Sequence, residues 1–185
     1  MKKTVLKFGL LAGAMLAAFM FATLPFHDKI GFDYAVIVGY TGMVLAFLLV
    51  FFGIKSYRDN AGGGYISFWR ALSVGLLIVV VSSICYVIAW EIVYLNFLPD
   101  YVDKYAEYMI AKDRAAGASA EQIAQTMETM KSMKSLLDNP FTMAAMVFLE
   151  PLPVGLIMSL ISAAILRKRR ATEVDGPGRL EQSAA

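Results

Sequence analysis

Four long apolar runs separated by polar connections set the pattern of this chain. They extend from Val5 to Leu24, from Phe32 to Ile54, from Ala71 to about Leu95 and from Phe141 to Leu166. A helix rises about 1.5 Å per residue and a bilayer core is roughly 30 Å thick, so each run is long enough to cross lipid. Lipid offers no hydrogen bonds to a bare backbone, which leaves helices as the form for such runs. The pattern predicts an all-α integral membrane bundle of four transmembrane helices, forming one domain over residues 1–170.

The connections differ in length and character. Pro25-Phe26-His27-Asp28-Lys29 reads as a short polar turn. Lys55-Ser56-Tyr57-Arg58-Asp59-Asn60 leaves the membrane and Gly62-Gly63-Gly64 makes a flexible turn. Tyr65, Phe68 and Trp69 then return the chain beside Arg70 as an interfacial aromatic cluster. The connection between the third and fourth runs is long and polar, and over residues 99–138 it predicts a helical hairpin outside the membrane. Tyr101, Val102, Tyr105, Tyr108, Met109 and Ile110 share one face of its first helix. Ala115-Ala116-Gly117-Ala118 breaks that helix, and Ser119 with Gln122 three positions on makes a capping box for the second. There Ile123, Met127, Met130 and Leu137 continue an apolar stripe with Met133 beside it. Asn139-Pro140 sets a cap and a first-turn proline ahead of the fourth run. Residues 171–185, with Gly176-Pro177-Gly178, read as a disordered tail.

The chain of 185 residues is 58% hydrophobic with a mean hydropathy of +0.60, too apolar for an ordinary soluble domain. A net charge of +2, with basic residues gathered at membrane borders, argues for the lipid bilayer as partner and against nucleic acid. Four crossings put both termini and the loop of residues 55–70 on one side. That side holds Lys2, Lys3, Lys7, Lys55, Arg58, Arg70, Arg167, Lys168, Arg169, Arg170 and Arg179, eleven of the seventeen basic residues. The bias places both termini in the cytoplasm, the hairpin on the opposite side, and a basic edge against anionic lipid. The first run, basic at its start, also resembles a secretory leader. Met20 and Phe21 ahead of Ala22 make a poor cleavage site, and the length fits an uncleaved span better. Gly9, Gly13 and Ala17, at steps of four, give that span a flat face for close approach of another helix.

Candidate chemistry is sparse. Glu150 is the one charged residue of the fourth run, within Glu150-Pro151-Leu152-Pro153. Counted along ideal helices from the outer border, Glu150 lies about 13 Å deep, Tyr40 about 12 Å and Glu91 about 6 Å. No lysine or arginine is expected at the depth of Glu150, so its carboxyl is expected to hold a proton. Pro151 frees the carbonyl of Val147 and Pro153 that of Leu149. A protonated Glu150 can donate to one of these carbonyls or to Tyr40, a neutral knot that fixes the bundle. The sharper reading makes Glu150, with Glu91 and the freed carbonyls, a proton or cation site, because acids inside membranes mark such pathways.

Met127, Met130 and Met133, three apart and faced by Met109, suggest a Cu(I) site as a further alternative, although the same spacing suits a plain amphipathic helix. Beyond that no metal or cofactor is expected. His27 is the sole histidine, reads as a solvated or interfacial loop residue and has no companions for a zinc set. Cys85, the sole cysteine, reads as a small buried hydrophobe. The glycine triplet lacks the Gly-Lys-Ser/Thr ending of a phosphate loop, and no nucleophile–histidine–acid set or HExxH pattern occurs, so no enzyme is expected.

Three stretches carry a family resemblance through their order and spacing. They are Gly53-Ile54-Lys55-Ser56-Tyr57-Arg58-Asp59, then Gly63-Gly64-Tyr65-Ile66-Ser67-Phe68, then Phe148-Leu149-Glu150 through Pro153-Val154-Gly155-Leu156-Ile157 to Leu166. Together they resemble a bacterial family of small four-span membrane proteins, the domain of unknown function 4199. The resemblance covers roughly residues 5–170 and implies this architecture and a bacterial inner-membrane location. It brings no reaction, ligand or active site. The expected function is therefore a non-enzymatic interaction or scaffold protein, whose hairpin and small-residue faces engage a membrane or envelope partner or another copy of the chain. The alternative is a small proton- or cation-coupled transport protein using Glu150 and Glu91.

Overall fold

The computed structural model describes residues 1–168, and the expected tail of residues 171–185 lies outside the described residues. Seven α-helices follow one another among them: α1 (Lys2–Thr23), α2 (His27–Ala61), α3 (Phe68–Asn96), α4 (Tyr101–Ala115), α5 (Ala120–Leu137), α6 (Pro140–Leu149) and α7 (Leu152–Leu166). Four stretches are long and apolar enough to cross a membrane: Lys2–Phe26, Lys29–Ala61, Phe68–Asn96 and Pro140–Leu166. The protein is an all-α, four-span membrane bundle.

Small residues set how closely its helices approach. A Cβ added at Gly9 would meet Val81 at 2.6 Å, and one at Gly13 would meet Cys85 at 2.5 Å. The flat face of α1 is therefore taken by α3 of the same chain. Ser82 Oγ reaches across that contact to the Gly9 carbonyl at 3.1 Å. On the other side of α3, Gly155 of α7 lies against Val79 and Gly75 lies against Ser159. Contacts join α2 and α3 to one another and each of them to both α1 and α7, so α1 and α7 flank a central pair. Met43, Phe47, Val50, Ile54, Val74 and Ile78 fill the interior.

At one end, Ile66 and Lys168 exchange backbone hydrogen bonds, each 3.0 Å long. This ties the end of α7 to the α2–α3 loop. Arg70 donates from Nε and Nη2 to the Tyr57 hydroxyl at 3.2 and 3.1 Å in the same region.

Three expectations change at the first turn and in α2. The segment from Pro25 to Lys29 is not a polar turn: Leu24–Phe26 is a 3-10 turn and His27 opens α2. Proline at the start of a helical turn gives up an N–H that would have no partner there anyway. The second span is broken at Gly31, with φ 64° and ψ 169°, a conformation open to glycine and strained for other residues. Its far end runs on to Ala61, beyond the expected Ile54. There the Gly62 N–H bonds to the carbonyls of Tyr57 and Arg58 and closes the helix.

In the polar segment, α4 and α5 pack together. Thr126 donates to Asp113 at 2.7 Å, and Lys134 donates to both oxygens of Asp103 at 2.7 Å. Ser119 and Gln122 form both bonds of the capping box, following Gly117 at φ 76°. The inward stripe of α5 differs from the expected one. Ile123, Thr126, Met130, Met133 and Leu137 are the half-buried or buried positions, while Met127 is 55% exposed. Steps of three, four, three and four track 3.6 residues per turn, and Met127 falls about 100° off that line. The three methionines thus do not share one face.

Candidate ligand cavity

The fourth span divides where proline withholds its N–H. α6 ends at Leu149, Glu150 and Pro151 keep near-helical angles without continuing the helix, and α7 starts at Leu152. Asn139 caps α6 by accepting from the N–H groups of Phe141 and Thr142 at 2.9 and 3.4 Å. Pro151 is fully buried and Pro153 is exposed on the bundle surface.

At the break, Glu150 turns its carboxyl into a cavity of about 550 Å³ between α1, α2, α3 and α4. Glu150 lines that space and is exposed rather than sealed in protein. Its Oε2 accepts a hydrogen bond from the Tyr86 hydroxyl at 3.1 Å. The expected partner, Tyr40, is not in the cavity wall: it is 43% exposed on the outer surface, between the wall residues Gly39 and Met43. Glu91 is absent from the wall as well. It follows Trp90, which lines the cavity, and one residue turns the helix by about 100°. The structure therefore bonds Glu150 to Tyr86, with Tyr40 near Tyr86 but outside the wall, and Glu91 outside the wall as well.

Rings make up much of the wall. Tyr101 meets Trp90 and Phe32 edge to face at 5.7 Å and stacks on Tyr105 at 6.4 Å. Phe32 also contacts Tyr105 and Tyr108, each at 5.2 Å. His27 opens α2 rather than sitting in a loop, and its half-buried ring lies 5.8 Å from those of both Phe32 and Tyr101. The glycine break at Gly31 precedes Phe32 and Asp33, which both face α4. Burial pushes the Tyr101 hydroxyl above the ordinary tyrosine range, with Tyr105 and Glu150 adding to the shift, so it stays neutral.

At the other end of the cavity stands an ionic contact between α2 and α4. Lys112 Nζ lies 3.0 Å from Asp33 Oδ1 and 3.1 Å from the Tyr108 hydroxyl, which also donates to Asp33. Hydrogen bonds to Tyr108 and then Asp33 hold Lys112 above the ordinary lysine value. Position along the helices separates the two ends. Glu150 is the residue after the ten-residue α6, about 15 Å from its start. Tyr86 lies a similar distance before the end of α3.

Tyr86 and Phe32 do not stand out as site residues in the sequence, and His27, read there as a loop residue, joins them in the wall. A signal existed for Tyr86: with Trp90 and Val93 it falls on one helical face at steps of four and three. In a run that is apolar all round, that face does not stand out.

Fold and cavity together define a four-span, all-α membrane protein with a carboxyl group facing an aromatic cavity. By sequence the chain belongs to the DUF4199 family, described as proteins of unknown function, which it matches over residues 7–168. No curated protein and no solved structure matches the chain.

Proposed function

We propose that the protein is a non-enzymatic, cation-handling protein of the bacterial inner membrane, in which Glu150 binds a proton or a cation entering from the extracytoplasmic side. One observation carries this reading: Glu150 faces the cavity, and among the described residues its carboxyl is bonded to Tyr86 and to no basic side chain. A carboxyl group placed in that way attracts a positive ligand, and intramembrane acids commonly mark ion or proton routes. The orientation is supported by the excess of basic residues around both termini and the loop of residues 55–70.

Purified protein in vesicles with a trapped pH-sensitive dye tests the reading. A membrane potential is expected to drive proton entry in the parent and in Glu91→Gln, and to fail to do so in Glu150→Gln. Equal flux in parent and Glu150→Gln would end a role for Glu150 in proton transport.

An interaction or scaffold role has fewer free surfaces to work with. The Gly9–Gly13 face is packed against α3, and the apolar stripe of α5 is turned toward α4. A protein partner or second copy would read the outer polar faces of α4 and α5 or the exposed apolar faces of the spans. Crosslinking and purification from native membranes would reveal such a partner as a stoichiometric companion, retained by Glu150→Gln.

A further inference from the structure

We infer that the cavity binds a small organic ammonium ion, a protonated amine or a quaternary ammonium group. The inference rests on the reading of Glu150 as a cation site and names the class of cation. Two sets of neighbours argue for it. The donor set is too thin for a bare metal ion: hard cations take six or more oxygens, and Glu150 has the Tyr86 hydroxyl beside it. Among the described residues no group of three His, Cys, Asp or Glu side chains stands close enough to hold a metal. The rest of the wall suits a cation clothed in carbon. Tyr101, Trp90, Phe32 and Tyr105 form a continuous group of rings with centroids 5.2–6.4 Å apart. Leu16, Met43 and Val93 add aliphatic surface to the same wall.

Aromatic faces attract ammonium groups within about 6 Å, and more strongly where water is excluded. A strongly hydrated inorganic ion gains little from aromatic walls in place of its water, whereas an N-alkyl surface gives up little hydration against them. A cavity of about 550 Å³ lies within the usual range for small-molecule sites. Lys112 of the wall is paired with Asp33, whereas Glu150 accepts from Tyr86 and has no lysine or arginine bonded to it among the described residues.

The two tryptophans make the test direct. Trp90 lines the cavity, while Trp69 is 74% exposed in the first turn of α3. In a Trp69→Phe background, Trp90 emission in detergent micelles is expected to respond saturably to tetraethylammonium and to choline. The response to 3,3-dimethylbutan-1-ol, which has choline's shape without its charge, is expected to be absent. Glu150→Gln should weaken tetraethylammonium binding about tenfold or more, and Tyr101→Leu should weaken it while keeping the acid. Elution of each variant as the intact species checks folding, and Tyr101→Leu carries the test if Glu150→Gln fails that check.

No saturable response to either ammonium ion, or an equal response to the neutral alcohol, would overturn the inference. A second arm separates a free amine from a lipid headgroup of the same chemistry. Nanodiscs of phosphatidylglycerol, with and without phosphatidylethanolamine, are titrated with tetraethylammonium. Weaker binding in the mixed discs assigns the site to the headgroup, and unchanged binding assigns it to free amines; either supports an ammonium site. Ammonium binding without proton flux upholds this inference while removing transport, and flux without an ammonium response overturns it while leaving transport intact.

Discussion

Glycine positions carry the sharpest consequences of single atoms in this bundle. Gly155 packs so closely on α3 that an added Cβ would lie 2.4 Å from Val79 Cγ1. Val79 is β-branched and buried, and has little freedom to yield. Gly155→Val is therefore expected to push α7 from α3 and to cost about 1–3 kcal/mol of stability. Gly39 has nothing within 4 Å of an added Cβ, so Gly39→Ala should leave stability unchanged or slightly raised. Unfolding of both variants in mixed micelles measures the contrast, and equal losses would refute the packing argument. The same scale explains Glu150. An acid in a membrane span is expensive, and its placement here offsets part of that expense: a cavity on one side, a tyrosine hydroxyl on the carboxylate, and a proline that ends the helix at the point where the side chain turns inward.

Helix α4 meets α2 through groups whose charge can be changed at will. Lys112 has its pKa raised in the folded protein by Tyr108 and Asp33. For a raised lysine, the stabilising contribution is fully present below the unfolded value of 10.5 and is lost as pH climbs through the higher folded value. Above pH 10.5, thermal stability should thus fall more steeply in the parent than in Asp33→Asn, where the ion pair is already gone. Parallel curves would refute a role for the pair. Both side chains are more than half exposed, so added salt should shrink the difference. The pair ties the Asp33 end of the cavity to α4, which contributes Tyr101, Tyr105, Tyr108 and Lys112 to the cavity wall.

For the whole molecule, the threading is the consequence with the widest reach. Reporter fusions should place residue 120 and the carboxy terminus in opposite compartments, with the carboxy terminus in the cytoplasm. Both reporters in one compartment would contradict four crossings, and both positions swapped would contradict the orientation drawn from the basic residues. The architecture was legible in the sequence because lipid imposes one strong demand, apolar length, and Val5–Leu24 or Phe141–Leu166 meets it without reference to any other segment. The caps at Ser119 and Asn139 were legible for the same reason, since each bond spans two or three residues. The apolar stripe of α5 was readable to within one position, and the error at Met127 arose from taking a step of four where the helix took three.

What the amino-acid sequence alone determined was the number of spans, the acid in the fourth and the place where that span breaks. These follow from local terms: hydrophobic length, the cost of a carboxyl in lipid, and the missing N–H of proline. The company Glu150 keeps was decided by the tertiary structure. Tyr40 matched it in depth and Glu91 in charge, but depth along a helix says nothing about the direction a side chain faces. Rotation of α2 and α3 about their axes turned Tyr40 and Glu91 out of the cavity wall and Tyr86 into it. That rotation is set by contacts between residues more than sixty positions apart, such as Gly9 on Ser82 and Gly155 on Val79, where small residues let the helices close on one another.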